Sequence, residues 1–231
     1  MAQYVDTPSV VGVDGPVVVV DVIRAFSTAA YAFGAGARRI YLVATVEEAL
    51  EFKRAHPGAI AMGEDGGLRP EGFDLPNSPV LAAAFDMEGR TLVQRTSAGT
   101  QGVVAAASAT RLWCAGLVCA SATAAAVEAA GLGPPTFVVT GWFADRTDRP
   151  GNDDRLTAEY IDALRLGRDT DPVEVARRVA ASDEALRTLA LGSEHVHPDD
   201  ISLAVDVDRF DFAMEVSRDE FGLRLDAVPV E

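Results

Sequence analysis

Four consecutive valines at residues 17–20 restrict the folds open to this chain more than any other segment. β-Branched side chains without polar alternation are typical of a strand that is buried on both faces. Similar short apolar runs recur and alternate with helix-like segments. The further predicted strands cover residues 39–43, 59–62, 91–94, 111–118 and 136–140. This alternation predicts an α/β fold of three layers, with helices on both sides of a central sheet that is largely parallel or mixed.

Local capping patterns mark several helix starts. Thr45 and Glu48 have the spacing of a capping box, and Ser78 followed by Pro79 is a typical N-cap and first helical residue. Ser27 is expected to cap a helix of small residues. The predicted helices cover residues 27–35, 45–56, 120–130, 153–166 and 172–191, others begin at residue 79 and after residue 100, and residues 201–228 are predicted to add a short helix and one or two strands.

Length and charge limit the class of protein. The chain has 231 residues without a Pro, Gly and Ser-rich linker, so we predict a single domain over residues 1–231. Its 35 acidic and 20 basic residues give a net charge of −15, which opposes binding to nucleic acid. Its apolar runs fall well short of the ~20 residues of a membrane helix. With two cysteines and no secretory pattern, the sequence predicts a cytoplasmic protein and leaves homo-oligomer formation open.

Polar side chains follow the predicted strands at their carboxyl ends, where open α/β sheets bind ligands. Asp21 follows the first strand and Glu64 follows the third. Carboxylate oxygens are the ligands that Mg²⁺ prefers, so both residues are candidate metal ligands and catalytic residues. The alternative is that Asp21 only caps a turn and that Glu64 is a solvated loop residue. A metal ion here would offset the acidic field and stabilise a transferring phosphoryl group.

A candidate anion site lies beside these carboxylates. Arg24 can hold a phosphate or sulfonate with its fork of N–H donors. The pairs Ser27–Thr28 and Gly99–Thr100 each precede a helix of small residues, and the N-terminus of a helix attracts anions. Ordinary capping is the alternative for these hydroxyls. The short distance in sequence between Arg24 and the first pair favours an anion site.

Other polar positions give weaker signals. Asp153 and Asp154 open a predicted helix, where acidic residues also favour the helix dipole. His195 and His197 imitate a metal site, but the Pro-Asp-Asp that follows reads as a helix start. Cys119 is expected to pack rather than to act as a nucleophile. The sequence contains no Walker loop, no Gly-x-Gly-x-x-Gly and no Gly-x-Ser-x-Gly elbow.

Five segments follow one another along the chain: Asp-Val-Ile-Arg-Ala-Phe-Ser-Thr at 21–28, Gly-Glu at 63–64, Gly-Phe-Asp-Leu-Pro-Asn-Ser-Pro at 72–79, Thr-Ser-Ala-Gly-Thr at 96–100 and Asp-Asp at 153–154. In this order they resemble the 2-phosphosulfolactate phosphatase family, Mg²⁺-dependent acid phosphatases of coenzyme M biosynthesis. The first and third segments are the most specific. The resemblance covers most of the chain and implies hydrolysis of 2-phosphosulfolactate to sulfolactate and phosphate.

The resemblance also implies roles for individual residues. It makes Asp21, Arg24 and Glu64 candidate catalytic residues. The implied metal ligands are Asp21, Glu64, Asp153 and Asp154, and the implied substrate-binding residues are Arg24, Ser27, Thr28, Asn77, Ser78, Thr96, Gly99 and Thr100. The nucleophile stays open between a metal-activated water, which we favour, and the Asp21 carboxylate.

The sequence departs from the family pattern near the implied ligand. Phe26 replaces a Thr, Pro76 a Gly, Ala98 an Asn and Asp153 a Glu. Several of these changes remove polar groups, which leaves the exact substrate open. Two alternatives to the phosphatase therefore remain: a binding protein that keeps the anion pocket without turnover, and an enzyme of different chemistry on the same scaffold.

Overall fold

The computed structural model describes residues 1–142 and 150–230. The strands are β1 Gln3–Val5, β2 Pro16–Val20, β3 Arg39–Leu42, β4 Ile60–Gly63, β5 Leu75–Pro76, β6 Thr91–Arg95, β7 Arg111–Ala115, β8 Thr136–Val139, β9 Phe212–Asp219 and β10 Gly222–Pro229. The helices are α1 Ala25–Gly34, α2 Val46–Ala55, α3 Pro79–Ala84, α4 Gly99–Ala105, α5 Ala120–Ala129, α6 Asn152–Arg165, α7 Pro172–Ala180, α8 Asp183–Leu189 and α9 Asp200–Ala204. Short 3₁₀ turns at Pro8–Val10 and Leu117–Cys119 complete the elements of these residues.

The described strands form a single sheet in the order β1-β8-β2-β7-β9-β10-β3-β6-β4-β5. Strands β1, β8, β2 and β7 are parallel to one another, and so are β3, β6, β4 and β5. The hairpin β9–β10 joins the two parallel blocks through antiparallel pairings. The predicted α/β fold with a largely parallel, mixed sheet is therefore confirmed.

The two faces of β2 pack into different cores, as the pleat of a strand requires. Val17 and Val19 belong to a cluster that also contains Ile40 and Met62 from the second block and the residues of α1. Residues 25–33 of α1 are all buried. A helix without a polar face is stable only when it is surrounded by protein. The curled sheet therefore encloses α1 between its two blocks.

Other helices cover the outer faces of the sheet. Val18 and Val20 pack with apolar residues of α5, α6 and α7. On the second block, Ala49 and Phe52 of α2 pack against Tyr41 of β3 and its neighbours in β4 and β6. Helical residues thus lie on both sides of each parallel block.

Helix α1 begins earlier than the capping pattern predicted. Its N-cap is Arg24, and the Asp21 carboxylate accepts the backbone N–H of Ala25 at 2.9 Å. The Ser27 hydroxyl lies inside the first turn and donates to the carbonyl of Val22 at 2.7 Å. The prediction that Ser27 caps this helix was therefore wrong, because Asp21 satisfies a first-turn donor from outside the helix.

Two other boundaries also differ from prediction. Strand β7 ends at Ala115 rather than at residue 118, because a 3₁₀ turn follows it. The predicted helix over 172–191 is two helices, since Ser182 caps α8 by accepting the N–H of Ala185. The capping box at Thr45 and the N-cap at Ser78 are confirmed. Among the described helices, none has the length and apolar character that crossing a bilayer requires.

Candidate active site

The carboxyl ends of strands from both parallel blocks meet at one cavity of about 470 Å³. Asp21 follows β2, Glu64 follows β4, and Gly141 follows β8. Arg24 and Asn77, from the loops between elements, line the same cavity. The structure therefore brings together the carboxylates and the arginine that sequence placed after separate strands.

Asp21 is fixed at the floor of this cavity. Besides the bond from Ala25, its surroundings include Gly99, the first residue of α4. A β-carbon at Gly99 would lie 2.8 Å from Asp21 Oδ2 and 2.7 Å from the β-carbon of Ala25. Position 99 therefore requires glycine so that α4 can approach the Asp21 carboxylate closely.

Burial raises the pKa of Asp21 from 3.8 to about 6. The negative charge of Glu64 acts in the same direction, because two nearby carboxylates resist joint ionisation. Hydrogen bonds from the backbone of Ala25 and Gly99 and from the Thr140 side chain oppose the rise. The carboxylate is thus anionic at neutral pH, but its charge is poorly compensated by its neighbours.

Glu64 is held by its own loop after β4 and by the loop after β6. Its Oε2 accepts the N–H of Gly67 at 2.6 Å and the hydroxyl of Ser97 at 3.0 Å, and its Oε1 accepts the backbone N–H of Ser97. The preceding Gly63 has φ +136°, and a β-carbon there would collide with the carbonyl of Arg95 on β6. This close strand pairing aims Glu64 at the cavity.

Asp153 and Asp154 begin α6, and both are buried. Asp154 accepts the N–H of Val22 at 2.8 Å and the N–H of Gly141 at 2.9 Å, so it ties α6 to the loops after β2 and β8. Asp153 Oδ1 is buried and has no hydrogen-bond partner. Burial, followed by the charge of Glu184, raises the pKa of Asp153 well above its ordinary value.

These carboxylates fit a hard cation only in part. Within residues 1–142 and 150–230, no three His, Cys, Asp or Glu side chains are arranged to hold a metal ion by themselves. Mg²⁺ commonly takes one or two carboxylates and completes its shell with water and substrate oxygens. Asp21 and Glu64 at the cavity suit that pattern. Asp153 does not line the cavity, but its unpartnered Oδ1 is a further oxygen donor in a side chain that lies close enough to Asp21 for their charges to interact. Asp154 fits less well, because backbone donors already occupy both of its oxygens.

Arg24 forms a fully buried ion pair that the sequence did not indicate. Its Nη1 donates to Asp200 Oδ2 at 2.8 Å, and the side chains are 4% and 0% exposed. Asp200 also accepts the hydroxyl of Ser78 at 2.5 Å and the N–H of His197 at 3.1 Å. The guanidinium that lines the cavity is therefore held from behind by α9.

The predicted anion-binding hydroxyls lie outside the lining of the cavity. The Thr96 hydroxyl accepts the backbone N–H of Thr100 at 3.0 Å, and the Thr100 hydroxyl accepts the backbone N–H of Thr96 at 2.9 Å. These two bonds close the first turn of α4. Ser27 and Thr28 are fully buried within α1. The hydroxyl of Ser78 is occupied by Asp200. These five residues therefore lie in helices or cap their first turns, and none of them lines the cavity, although the buried Thr28 hydroxyl has no hydrogen-bond partner.

Asn77 differs from those hydroxyls because it lines the cavity. Its side chain is 5% exposed, and its Oδ1 has no partner. A buried amide oxygen without a partner is costly unless a ligand or water satisfies it. Asn77 keeps its assignment as a candidate substrate-binding residue because it lines the cavity, where its Oδ1 can accept a hydrogen bond from a hydroxyl or a water.

Sequence reasoning missed four residues that matter here. Ser97 positions Glu64, Asp200 positions Arg24, and Glu184 and Arg187 of α8 line the cavity. The first two have partners far away in sequence: Ser97 is 33 positions from Glu64, and Arg24 and Asp200 are 176 positions apart. The Pro-Asp-Asp that opens α9 was the only local signal, and it indicated a helix start rather than a buried ion pair.

The weaker candidates acquire structural explanations. His197 Nδ1 accepts the N–H of Asp199 at 3.1 Å, so it supports the start of α9. Cys119 is fully buried, and burial raises the pKa of its thiol. A thiol that resists ionisation is a poor nucleophile. Neither residue lines the cavity.

Comparison with known proteins identifies the family. Residues 5–216 match a family of α/β phosphatases, which are phosphoric monoester hydrolases. That family is 2-phosphosulpholactate phosphatase, and the chain belongs to it.

Curated relatives agree with this match. A protein named probable 2-phosphosulfolactate phosphatase from Bacillus subtilis is 32% identical over 203 residues, which cover 87% of each chain. Relatives with the same name from Thermus thermophilus and Deinococcus radiodurans are 36% and 35% identical. The Thermus match covers 83% of this chain and 81% of the relative, and the Deinococcus match covers 82% and 80%.

Proposed function

We propose that this chain is a Mg²⁺-dependent phosphatase that hydrolyses 2-phosphosulfolactate to sulfolactate and phosphate. The observation that carries the proposal is the convergence of Asp21, Glu64 and Arg24 on one cavity, in a chain whose family match spans residues 5–216. Both parallel blocks contribute to this cavity. Such a site combines oxygen donors for a cation with a guanidinium for an anion.

Asp21 and Glu64 would hold the metal ion, and Asp153 supplies a further carboxylate close to them. When bound, Mg²⁺ would neutralise charge on the phosphoryl oxygens and relieve the repulsion between the carboxylates. Asp154 acts differently, since its bonds to Val22 and Gly141 fix the loops that carry the site. We assign it a positioning role.

Arg24 would bind a phosphoryl oxygen of the substrate. Because Asp200 holds one side of its guanidinium, the group is oriented before the substrate arrives, which reduces the entropy lost on binding. Asn77 would complete the contact, since an amide can donate through its NH₂ group. Arg24 and Asn77 thus define the anion end of the cavity, opposite in charge to Asp21 and Glu64.

Two routes to phosphate remain open in this proposal. In the first, which we favour, a water attacks phosphorus and the ester oxygen leaves with a proton as the hydroxyl of sulfolactate. In the second, an Asp21 oxygen attacks phosphorus, sulfolactate departs, and water then cleaves the acyl phosphate. Asp21 is anionic near neutral pH, as either route requires.

The proposed reaction also gives the chain a setting. We propose that it supplies sulfolactate for coenzyme M biosynthesis in the cytoplasm. Ala98, which stands where the resemblance has Asn, lines the cavity, so a departure from the pattern reaches the site itself. Because of this observation, the second candidate function is hydrolysis of a related phosphorylated acid, or binding of such an acid without turnover.

Phosphate release from a panel of compounds tests this function. The panel contains 2-phosphosulfolactate, phosphoglycolate, phospholactate and phosphoglycerate, each assayed with Mg²⁺ and with a chelator. We expect Mg²⁺-dependent release that is fastest from 2-phosphosulfolactate. A higher rate on another acid would keep the chemistry and change the substrate. Tight binding of sulfolactate without release from any compound would support the binding protein instead.

A further inference from the structure

One wall of the cavity is formed by helix α8 rather than by residues that follow a strand. Glu184, Arg187 and Thr188 of this helix line the cavity, as does Leu191 just beyond it. Arg187 therefore gives the cavity a second guanidinium in addition to that of Arg24, which lies in a distant part of the sequence. The proposed function so far gives this second arginine no task.

The position of α8 relative to the site is well defined by packing. Ser182 caps the helix by accepting the N–H of Ala185 at 3.2 Å, and Ala185 is fully buried. A β-carbon at Gly67 would lie 2.6 Å from Leu191 Cδ1, so the segment after α8 lies directly against the loop that donates to Glu64. The segment after α8 is thus packed against the loop that carries Glu64.

Arg187 lies farther out than Arg24. Its side chain is 47% exposed, whereas that of Arg24 is 4% exposed. Its Nη2 donates to Glu184 Oε1 at 2.9 Å, and Glu184 is mostly buried with 12% exposure. This ion pair one turn apart on the helix orients the guanidinium at the mouth of the cavity.

The charge balance of the cavity indicates what Arg187 binds. Arg24 is paired with the buried Asp200 and Arg187 with Glu184, so Asp21 and Glu64 leave the cavity with an excess of negative charge. A phosphorylated acid carries negative charge at two ends, on the phosphate and on its other acid groups. Arg24 and a cation at Asp21 serve only the phosphate end. The other acid group of the substrate would be repelled by the carboxylates of the cavity unless Arg187 binds it.

We infer that Arg187 is a specificity-determining residue that binds the non-reacting acid group of the substrate, its sulfonate or carboxylate, at the mouth of the cavity. The inference rests on the proposed function and deepens it. A guanidinium suits either group, because a carboxylate offers two oxygens and a sulfonate three, and two of them can accept from its fork of donors. Phosphate monoesters without a second acid group would lose nothing when Arg187 is replaced.

Three substrates that differ only in acid groups test this inference. 2-Phosphosulfolactate carries sulfonate and carboxylate, 2-phospholactate carries only carboxylate, and isopropyl phosphate carries neither. Each is assayed for kcat and KM with the wild type, Arg187→Gln and Arg187→Lys. The matched control is Arg177→Gln on α7, because Arg177 forms the same kind of ion pair with Glu174 at 2.8 Å but does not line this cavity.

We expect Arg187→Gln to lower kcat/KM for 2-phosphosulfolactate roughly 10- to 100-fold, mainly through KM, as for the loss of a charged hydrogen bond. The rate on isopropyl phosphate should not change, and Lys should restore part of the loss. An equal loss on 2-phospholactate would identify the carboxylate as the bound group, and no loss there would identify the sulfonate. An equal fall on isopropyl phosphate, or no fall on any substrate, would overturn the inference.

Binding of sulfolactate, measured by calorimetry, keeps this inference separate from the proposed function. If the wild type releases no phosphate from any compound, the proposed phosphatase fails. Weaker binding of sulfolactate by Arg187→Gln than by the wild type and Arg177→Gln would then still support the role of Arg187. Equal binding by all three proteins, or no binding by the wild type, would overturn it.

Discussion

Asp21 and Asp200 are both buried carboxylates, yet their surroundings give them opposite properties. Asp200 receives the guanidinium of Arg24 and several other donors, so its charge is compensated. Burial and the nearby charge of Glu64 disfavour the ionised form of Asp21 and raise its pKa to about 6, although backbone donors oppose the rise. A carboxylate with little compensation, such as Asp21, suits the binding of a cation. A carboxylate that is paired with an arginine, such as Asp200, suits the positioning of that arginine.

Replacement of Asp21 by Asn should stabilise the metal-free protein at high pH. Because the folded pKa of about 6 exceeds the ordinary 3.8, the stability that protonated Asp21 contributes is present below pH 4 and is lost as the pH rises through 6. Asn resembles the neutral form at every pH. Urea unfolding with chelator should show the variant about 1–3 kcal/mol more stable at pH 8, with a smaller difference at pH 4. Equal or lower stability of the variant at pH 8 would contradict this.

Replacement of Asp200 should weaken substrate binding through Arg24. Asp200→Ala leaves a buried guanidinium unpaired and should cost about 3–5 kcal/mol of unfolding free energy. Asp200→Asn keeps the shape and an acceptor, so it should fold and raise KM about tenfold with a smaller change in kcat. Asp162→Asn is the control, because Asp162 pairs with Arg165 at 2.8 Å outside the cavity. If Asp200→Asn kept the KM of the wild type, Arg24 would not depend on this pair.

The residues that sequence could assign are those at strand ends. Asp21, Arg24 and Glu64 follow buried strands, and parallel strands bring their carboxyl ends to one edge. The hydroxyls of Thr96 and Thr100 have the same local pattern, but they satisfy each other. Residue type alone does not show whether a hydroxyl is free to bind a ligand, because here each hydroxyl is already bonded to a backbone N–H four positions away.

At the level of elements, the start of α4 controls the shape of the site. Its first residue, Gly99, touches the Asp21 carboxylate and the first turn of α1 at once. Most strands and helices followed from sequence, since apolar runs and capping boxes are local signals, but the short strands β1 and β5 did not. The split between α7 and α8 did not, because Ser182 is a cap only when the chain turns there.

Gly99→Ala should damage both packing and activity. The added β-carbon would lie 2.8 Å from Asp21 Oδ2 and 2.7 Å from the Ala25 β-carbon, so one of these groups must move. We expect a loss of about 1–3 kcal/mol in unfolding free energy and a fall in kcat larger than any change in KM. Gly15→Ala is the control, since a β-carbon there meets nothing within 4 Å. Equal activity of the two variants would show that Asp21 tolerates displacement.

At the scale of the whole molecule, the hairpin β9–β10 joins two parallel blocks whose strand ends share one cavity. Residues 201–228 were predicted to add strands, but not in the middle of the sheet. Strand order depends on contacts between residues far apart in sequence, which no local pattern encodes. The position of α8 over the cavity also depends on contacts between residues far apart in sequence. Arg187 was therefore not predicted as a site residue.

Divalent cation should stabilise the whole fold through the site. Mg²⁺ that binds only the folded state raises stability with concentration, by about 2.7 kcal/mol at a hundred times its dissociation constant. The thermal midpoint of the wild type at pH 8 should therefore rise with Mg²⁺ and fall back with chelator. Asp21→Asn and Glu64→Gln should lose this shift, while Glu88→Gln, outside the cavity, should keep it. A shift of the same size in all four proteins would place the cation elsewhere.

Phosphate release from 2-phosphosulfolactate by the wild type and by Asp21→Asn, side by side in Mg²⁺, tests the central claim most directly. The claim is that hydrolysis takes place at the cavity between the two parallel blocks. We predict release by the wild type that stops with chelator, and a loss of at least 100-fold, roughly 2.7 kcal/mol, in a variant that unfolds as cooperatively as the wild type. Release at the wild-type rate by Asp21→Asn would contradict the claim.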